Sequence, residues 1–211
     1  MEVPCQVASA AMELGVDTTQ GRSRRLAKSK DCLKKAARRF GRIRRLRRSA
    51  KLSRISKELW TTGALPQASY GHQCNGFPPS VVVKLRRQAS QAIAGRGAGR
   101  CLTSILSLRM GRKEPALELR RQLVFEWLMV WRSTPSLHFR VIRAWSFLRP
   151  RLLDPKTRWA RVRGPVSTVI AVLYDAGWPP RLANAWIRNS AQGGRVAAVA
   201  DGFRPSLRGS R

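Results

Sequence analysis

A mostly α fold, a small helical assembly carrying a long basic amphipathic helix near its N-terminus and flexible tails, is expected from three observations. Apolar residues recur at three- and four-residue steps in several separate stretches, the spacing that gathers them on one face of a helix. β-Branched residues cluster only at 81–83 and 166–172, too few for a convincing sheet. Gly and Pro punctuate the chain between the periodic stretches, where helices start and stop.

Residues 1–21 are mildly polar and weakly patterned and read as a loose N-terminal tail. The block 22–57 then holds seventeen Lys or Arg and one acid, Asp31. Within and just beyond it Leu33, Ala36, Ala37, Phe40, Ile43, Leu46, Ala50, Ile55 and Leu59 share one helical face, and the cations cover the rest. Gly41 weakens this helix locally without ending it. The stretch LWTTGALPQASYGHQCNGFPP, 59–79, is expected to break the pattern at Gly63, Pro66, Gly71, Gly76, Pro78 and Pro79, forming a joint.

A second helix restarts near Pro79, with Val82, Leu85, Ala89 and Ile93 on one face, and 94–100 is a flexible turn. Pro115 opens the next helix, whose buried side carries Leu119, Leu123, Trp127 and Trp131. The segment 136–148 reads as a short helix stopped by Pro150, 149–165 as mostly loop, and 166–178 as an apolar helix ended near Gly177. A last short helix is expected at 179–190, and 191–211 reads as a disordered basic tail. The expected organisation is therefore tail 1–21, basic helix 22–61, helical domain 62–190 and tail 191–211.

Charge dominates function. Forty-two Lys and Arg against eleven Asp and Glu give a formal +31, a field that attracts polyanions, RNA or DNA above all. An anionic membrane surface feels the same field, but no apolar run approaches a membrane span. The N-terminal residues make a poor signal peptide, and the four Cys at 5, 32, 74 and 101 include no CxxC pair. A nuclear or cytoplasmic, intracellular protein is expected.

A charge run is ordinarily a solvated face. Solvated helices, however, mix Glu with Lys, whereas this one has almost no acids and repels itself until a polyanion neutralises it. The expected phosphate contacts are Lys34, Lys35, Arg38, Arg39, Arg42, Arg44, Arg45, Arg47 and Arg48, with Arg86 and Arg87 on the second helix. Most of the seven Trp lie at helical spacing among aliphatics and read as core. Trp159 is the exception: flanked by Arg158, Arg161 and Arg163 in a loop, it is the candidate for stacking on a base.

Catalytic groups are sparse. Glu114 and Glu118 are one helical turn apart, but acids at a helix start are commoner than a metal pair. Tyr174-Asp175 lacks the second carboxylate of a polymerase Tyr-x-Asp-Asp, and Asp175 reads as a helix-end surface residue. His72 and Cys74 have no second pair at zinc-finger spacing, and 95–101 lacks the terminal Gly-Lys-Ser/Thr of a phosphate loop. No cofactor, no metal and no catalysis by this chain alone are expected.

One resemblance sharpens this reading. The Arg-rich helix followed by Trp60, Gly63, Leu65, Pro66, Ala68, Tyr70 and Gly71, a W-x-x-G-x-L-P-x-A-x-Y-G pattern, resembles the region downstream of the palm in LINE-like, non-LTR retrotransposon reverse transcriptases of the dinoflagellate and protist type. Gly76, Pro79, Leu85, Arg86, Arg87, Gly164, Pro165, Gly177 and Trp178 fall at matching positions, so the likeness spans about 35–190. It implies a thumb or connector segment lying against template RNA or target DNA, detached from the palm and endonuclease of its parent and partnered with a separate or upstream palm. Two rival readings stand beside it: a subunit of an active RNA-directed DNA polymerase, and a relic reading frame whose Arg content reflects GC-rich coding alone.

Overall fold

The computed structural model describes residues 10–13, 16–19, 26–47, 55–94, 101–189 and 195–199. Arg48, Ala50, the 95–100 part of the expected turn and most of the two expected tails lie outside them. The fold is mostly α, as the periodicity predicts. Its described helices are α1 (Ala27–Leu46), α2 (Ser56–Leu59), α3 (Leu65–Ser69), α4 (His72–Asn75), α5 (Pro79–Ala94), α6 (Leu102–Met110), α7 (Pro115–Ser133), α8 (His138–Arg151) and α9 (Pro165–Asp175). Two antiparallel strand pairs accompany them, β1 (Ala10–Glu13) with β2 (Val16–Thr19), and β3 (Ala185–Asn189) with β4 (Arg195–Val199). The chain divides into two compact units between Leu123 and Val124, within the span of α7.

The first unit is built on the apolar stripe of α1. Ala36, Phe40 and Ile43 are buried with Trp60, Ala64, Leu65, Ala68, Phe77, Leu85, Ala89, Ala92, Leu106, Met110 and Leu119. Phe40 meets Trp60 edge to face at 5.9 Å. Alanines at the contacts let helices approach closely, and Ser56 Oγ donates 2.7 Å to the Ala92 carbonyl, tying α2 to α5. Burying Phe40 and Ile43 stabilises by about 1.5–3 kcal/mol each. Like charges at i,i+4 on the outer face oppose the helix by only about 0.2–0.5 kcal/mol per pair, so the stripe wins.

The joint differs from its expected form. Gly63 and Pro66 do not break the chain: α2 runs through a π-helical turn, Trp60–Ala64, straight into α3. The Leu65 N–H reaches back to the Trp60 carbonyl, which shifts the ladder by one residue and places Pro66 at the start of α3, where its missing N–H is harmless. Thr61 Oγ1 donates to the Lys57 carbonyl at 3.1 Å and Thr62 Oγ1 to that of Glu58 at 2.7 Å, covering acceptors near the turn. The true breaks are Gly71, at φ 70°, and Gly76, at φ 60°, left-handed positions that flank α4.

In the second unit the core is aromatic. Trp127 and Trp145 pack 5.6 Å apart, and their indole N–H groups donate to the carbonyls of Ala183 (2.9 Å) and Pro180 (3.0 Å). Trp131 stacks on His138 at 3.9 Å, while Val169, Ile170, Ala171 and Leu173 of α9 are buried. Gly177, at φ 73°, ends α9 in a Schellman arrangement: Gly177 N–H donates to Tyr174 O and Trp178 N–H to Leu173 O. Two expectations change here. Pro150 lies inside the last turn of α8, where a missing N–H removes one bond only, and the helix continues to Arg151. Within the expected last helix, Ala185–Asn189 is instead strand β3, paired antiparallel with β4.

Candidate nucleic-acid interface

The expected phosphate contacts divide into three groups. Lys34, Lys35, Arg38, Arg39, Arg42, Arg44 and Arg45 are exposed on α1, as is Lys30. Lys34, Arg38, Arg42 and Arg45 follow one another at steps of three and four residues, so their charges rise about 5–6 Å per step along the face opposite Ala36 and Phe40. Arg87 on α5, and Arg161 and Arg163 in the second unit, are also exposed.

A second group, drawn from these exposed residues, is also bonded at the rim. Lys35 pairs with Asp31 at 2.9 Å, both about half exposed. The Lys35 hydrogen bond holds the Asp31 carboxyl below its ordinary range. Arg39 donates from a terminal nitrogen to the Gly63 carbonyl at 3.1 Å, fastening α1 to the π turn. Arg161 donates to the Arg151 carbonyl at 2.8 Å.

The third group is turned inward. Arg47 falls on the same face as Ile43 and Phe40, and its Nε is buried without an acceptor. Arg86 donates to Glu114 at 2.6 Å and to Thr103 at 3.0 Å, and its side chain is only 21% exposed. Glu114 also accepts the Leu117 N–H at 2.9 Å, so this acid caps the first turn of α7.

Arg158 is the clearest correction. It is 6% exposed, ion-paired with Asp175, bonded to the carbonyls of Leu152 (2.8 Å) and Leu153 (3.0 Å), and lies over the Tyr174 ring. Trp159, the expected stacking residue, donates its indole N–H to the same Asp175 at 2.8 Å. Asp175 is therefore no surface residue but the acceptor at the centre of a small hub. An Arg-Trp pair in a loop reads from sequence as a base platform; the carboxylate that claims it lies sixteen residues further on.

Sequence reasoning missed one feature of the first unit. Tyr70, 51% exposed at the end of α3, lines two cavities. The smaller, about 210 Å³, is completed by Lys28, Cys32, Lys35 and Gln67. The larger, about 580 Å³, runs along the π turn past Thr62, Gln73, Lys113, Glu118 and Gln122. Glu118 there is held ionised below its usual range, first by hydrogen bonding to Arg121. Cys74 beside it is pushed up by burial. Tyr70 was legible only as a motif position, because what singles it out is the helix that brings Lys28 and Lys35 alongside.

No family model, curated protein or solved structure matches this chain. Among the described residues no three His, Cys, Asp or Glu side chains gather where they would hold a metal ion, and no helix is long and apolar enough to cross a membrane.

Proposed function

We propose that this chain binds RNA or DNA without sequence preference through phosphate contacts from α1, as a fragment of a retroelement reverse-transcriptase polyprotein of the LINE-like type, with the chemistry supplied by a separate or upstream palm domain. One observation carries the binding half: the exposed face of α1 presents Lys34, Arg38, Arg42 and Arg45 in a row, opposite a stripe buried in the core. A helix so anchored keeps its cations on one side at no further ordering of the backbone. The retroelement half rests on the W-x-x-G-x-L-P-x-A-x-Y-G pattern from Trp60 to Gly71.

Arg44, Arg87, Arg161 and Arg163 are secondary contacts in this reading, and Arg158, Trp159, Arg86 and Arg47 drop out of it. Changing Lys34, Arg38, Arg42 and Arg45 together to Gln tests it by fluorescence anisotropy against a labelled oligonucleotide. Affinity falls, and the slope of log K against log salt shrinks by up to about 0.7–0.9 for each phosphate that is no longer neutralised. An unchanged affinity and an unchanged slope would show that α1 is an idle surface.

A further inference from the structure

We infer that Tyr70 is a stacking platform for an unpaired base, placed so that α1 holds the adjoining phosphates. This rests on the nucleic-acid reading above and narrows its substrate to single strands. Three observations converge in the first unit. The Tyr70 ring is half exposed at the helix end formed by Gly71, whose φ of 70° turns the chain sharply away. The same ring forms a wall of a cavity whose other walls include Lys28 and Lys35 of α1 and the Gln67 amide. The same residue also lines the larger cavity along the π turn, so Tyr70 adjoins two recesses.

Each part has a chemical task. An aromatic face stacks on any base, which gives affinity without sequence preference. The open recess beside the ring, about 210 Å³, has a volume of the order of the ~150 Å³ cavity that holds benzene, so its size does not exclude one planar heterocycle. Lys35 spends one donor direction on Asp31 and keeps others for phosphate oxygens, since an ammonium has three N–H groups and an exposed pair is weak. In a duplex the bases are already stacked on one another and present no free face, so a platform of this kind selects unpaired strands.

The test compares the full chain's affinity for a short oligothymidylate, an abasic sugar-phosphate strand of equal length, and heparin. The base-bearing strand is expected to bind about tenfold tighter than the abasic one, the size of one stacked base. Tyr70→Ala removes that preference and leaves heparin binding as it was, and Tyr70→Phe keeps the preference because the ring does the stacking. If Tyr70→Ala loses helicity by circular dichroism, Tyr70→Leu takes its place. Equal binding of both strands by the unaltered chain, or a preference that survives Tyr70→Ala and Tyr70→Leu, overturns the platform while the α1 reading stands. Failure to bind either strand or heparin overturns the α1 reading, and the platform with it.

Discussion

Two Arg-rich segments of this chain look alike in sequence and end in opposite environments. On α1, Lys34, Arg38, Arg42 and Arg45 face outward, and Asp31 is the one acid in that helix. In 158–163, Arg158 is buried against Asp175, and Trp159 is bonded to the same acid. The difference lies in what the fold brings to each. The α1 row is left facing solvent, whereas α9 delivers a carboxylate, and the end of α8 delivers two carbonyls, to one guanidinium. A buried charge is tolerated only where acceptors of this kind converge. An arginine count therefore says nothing of function until the distant acceptor has been found.

The sharpest way to break this comparison is to remove the acceptor. Asp175→Ala leaves the Arg158 guanidinium buried and uncompensated, and the expected loss is about 3–5 kcal/mol of stability in urea unfolding. The double change Arg158→Leu with Asp175→Ala recovers part of that loss, because no charge is then stranded. Nucleic-acid affinity of the folded fraction stays as it was. A single variant as stable as the parent would mean that the hub is incidental.

Next in size is Trp159→Phe. It keeps a ring in the loop but removes the N–H that donates 2.8 Å to Asp175. A hydrogen bond to a charged group contributes about 1.5–3 kcal/mol, and half-burial places the expected loss near the lower end. If the melting temperature holds, and Trp159→Ala, which removes the ring, then lowers oligonucleotide affinity, Trp159 is a base platform after all and the two segments are alike.

Much of the helical layout was legible because periodicity and punctuation report local structure. The buried row Ala36, Phe40, Ile43, the restart at Pro79 and the Gly177 stop all follow from spacing within one or two turns. The misreadings share a cause. Pro66 and Gly63 look like breakers, but a π turn displaces the ladder and Arg39, twenty-four residues away, donates to the Gly63 carbonyl. Arg158 looks free because Asp175 is seventeen residues off. Arg47 looks like one more surface cation, although the period of α1 returns it to the Ile43 face. Helices are local and were readable; the partners of a charged side chain are set by tertiary structure and were not.

The smallest expected effect probes the α1 side of the comparison alone. Gly41 lies within α1, and a Cβ added there meets nothing within 4 Å. Gly41→Ala should thus stabilise the helix by about 0.5–1 kcal/mol, since alanine loses less backbone entropy and gains no clash. Differential scanning calorimetry checks this as a rise of a few degrees in Tm. Because Gly41 bears no charge, the salt slope of oligonucleotide binding stays unchanged, while affinity holds or rises slightly as the cation row is better ordered. A lowered Tm would mean that α1 needs the glycine to bend, and a straight row of cations along its outer face would no longer describe the molecule. A raised Tm with weaker binding would separate helix stability from binding and point to a face that must flex to follow a strand.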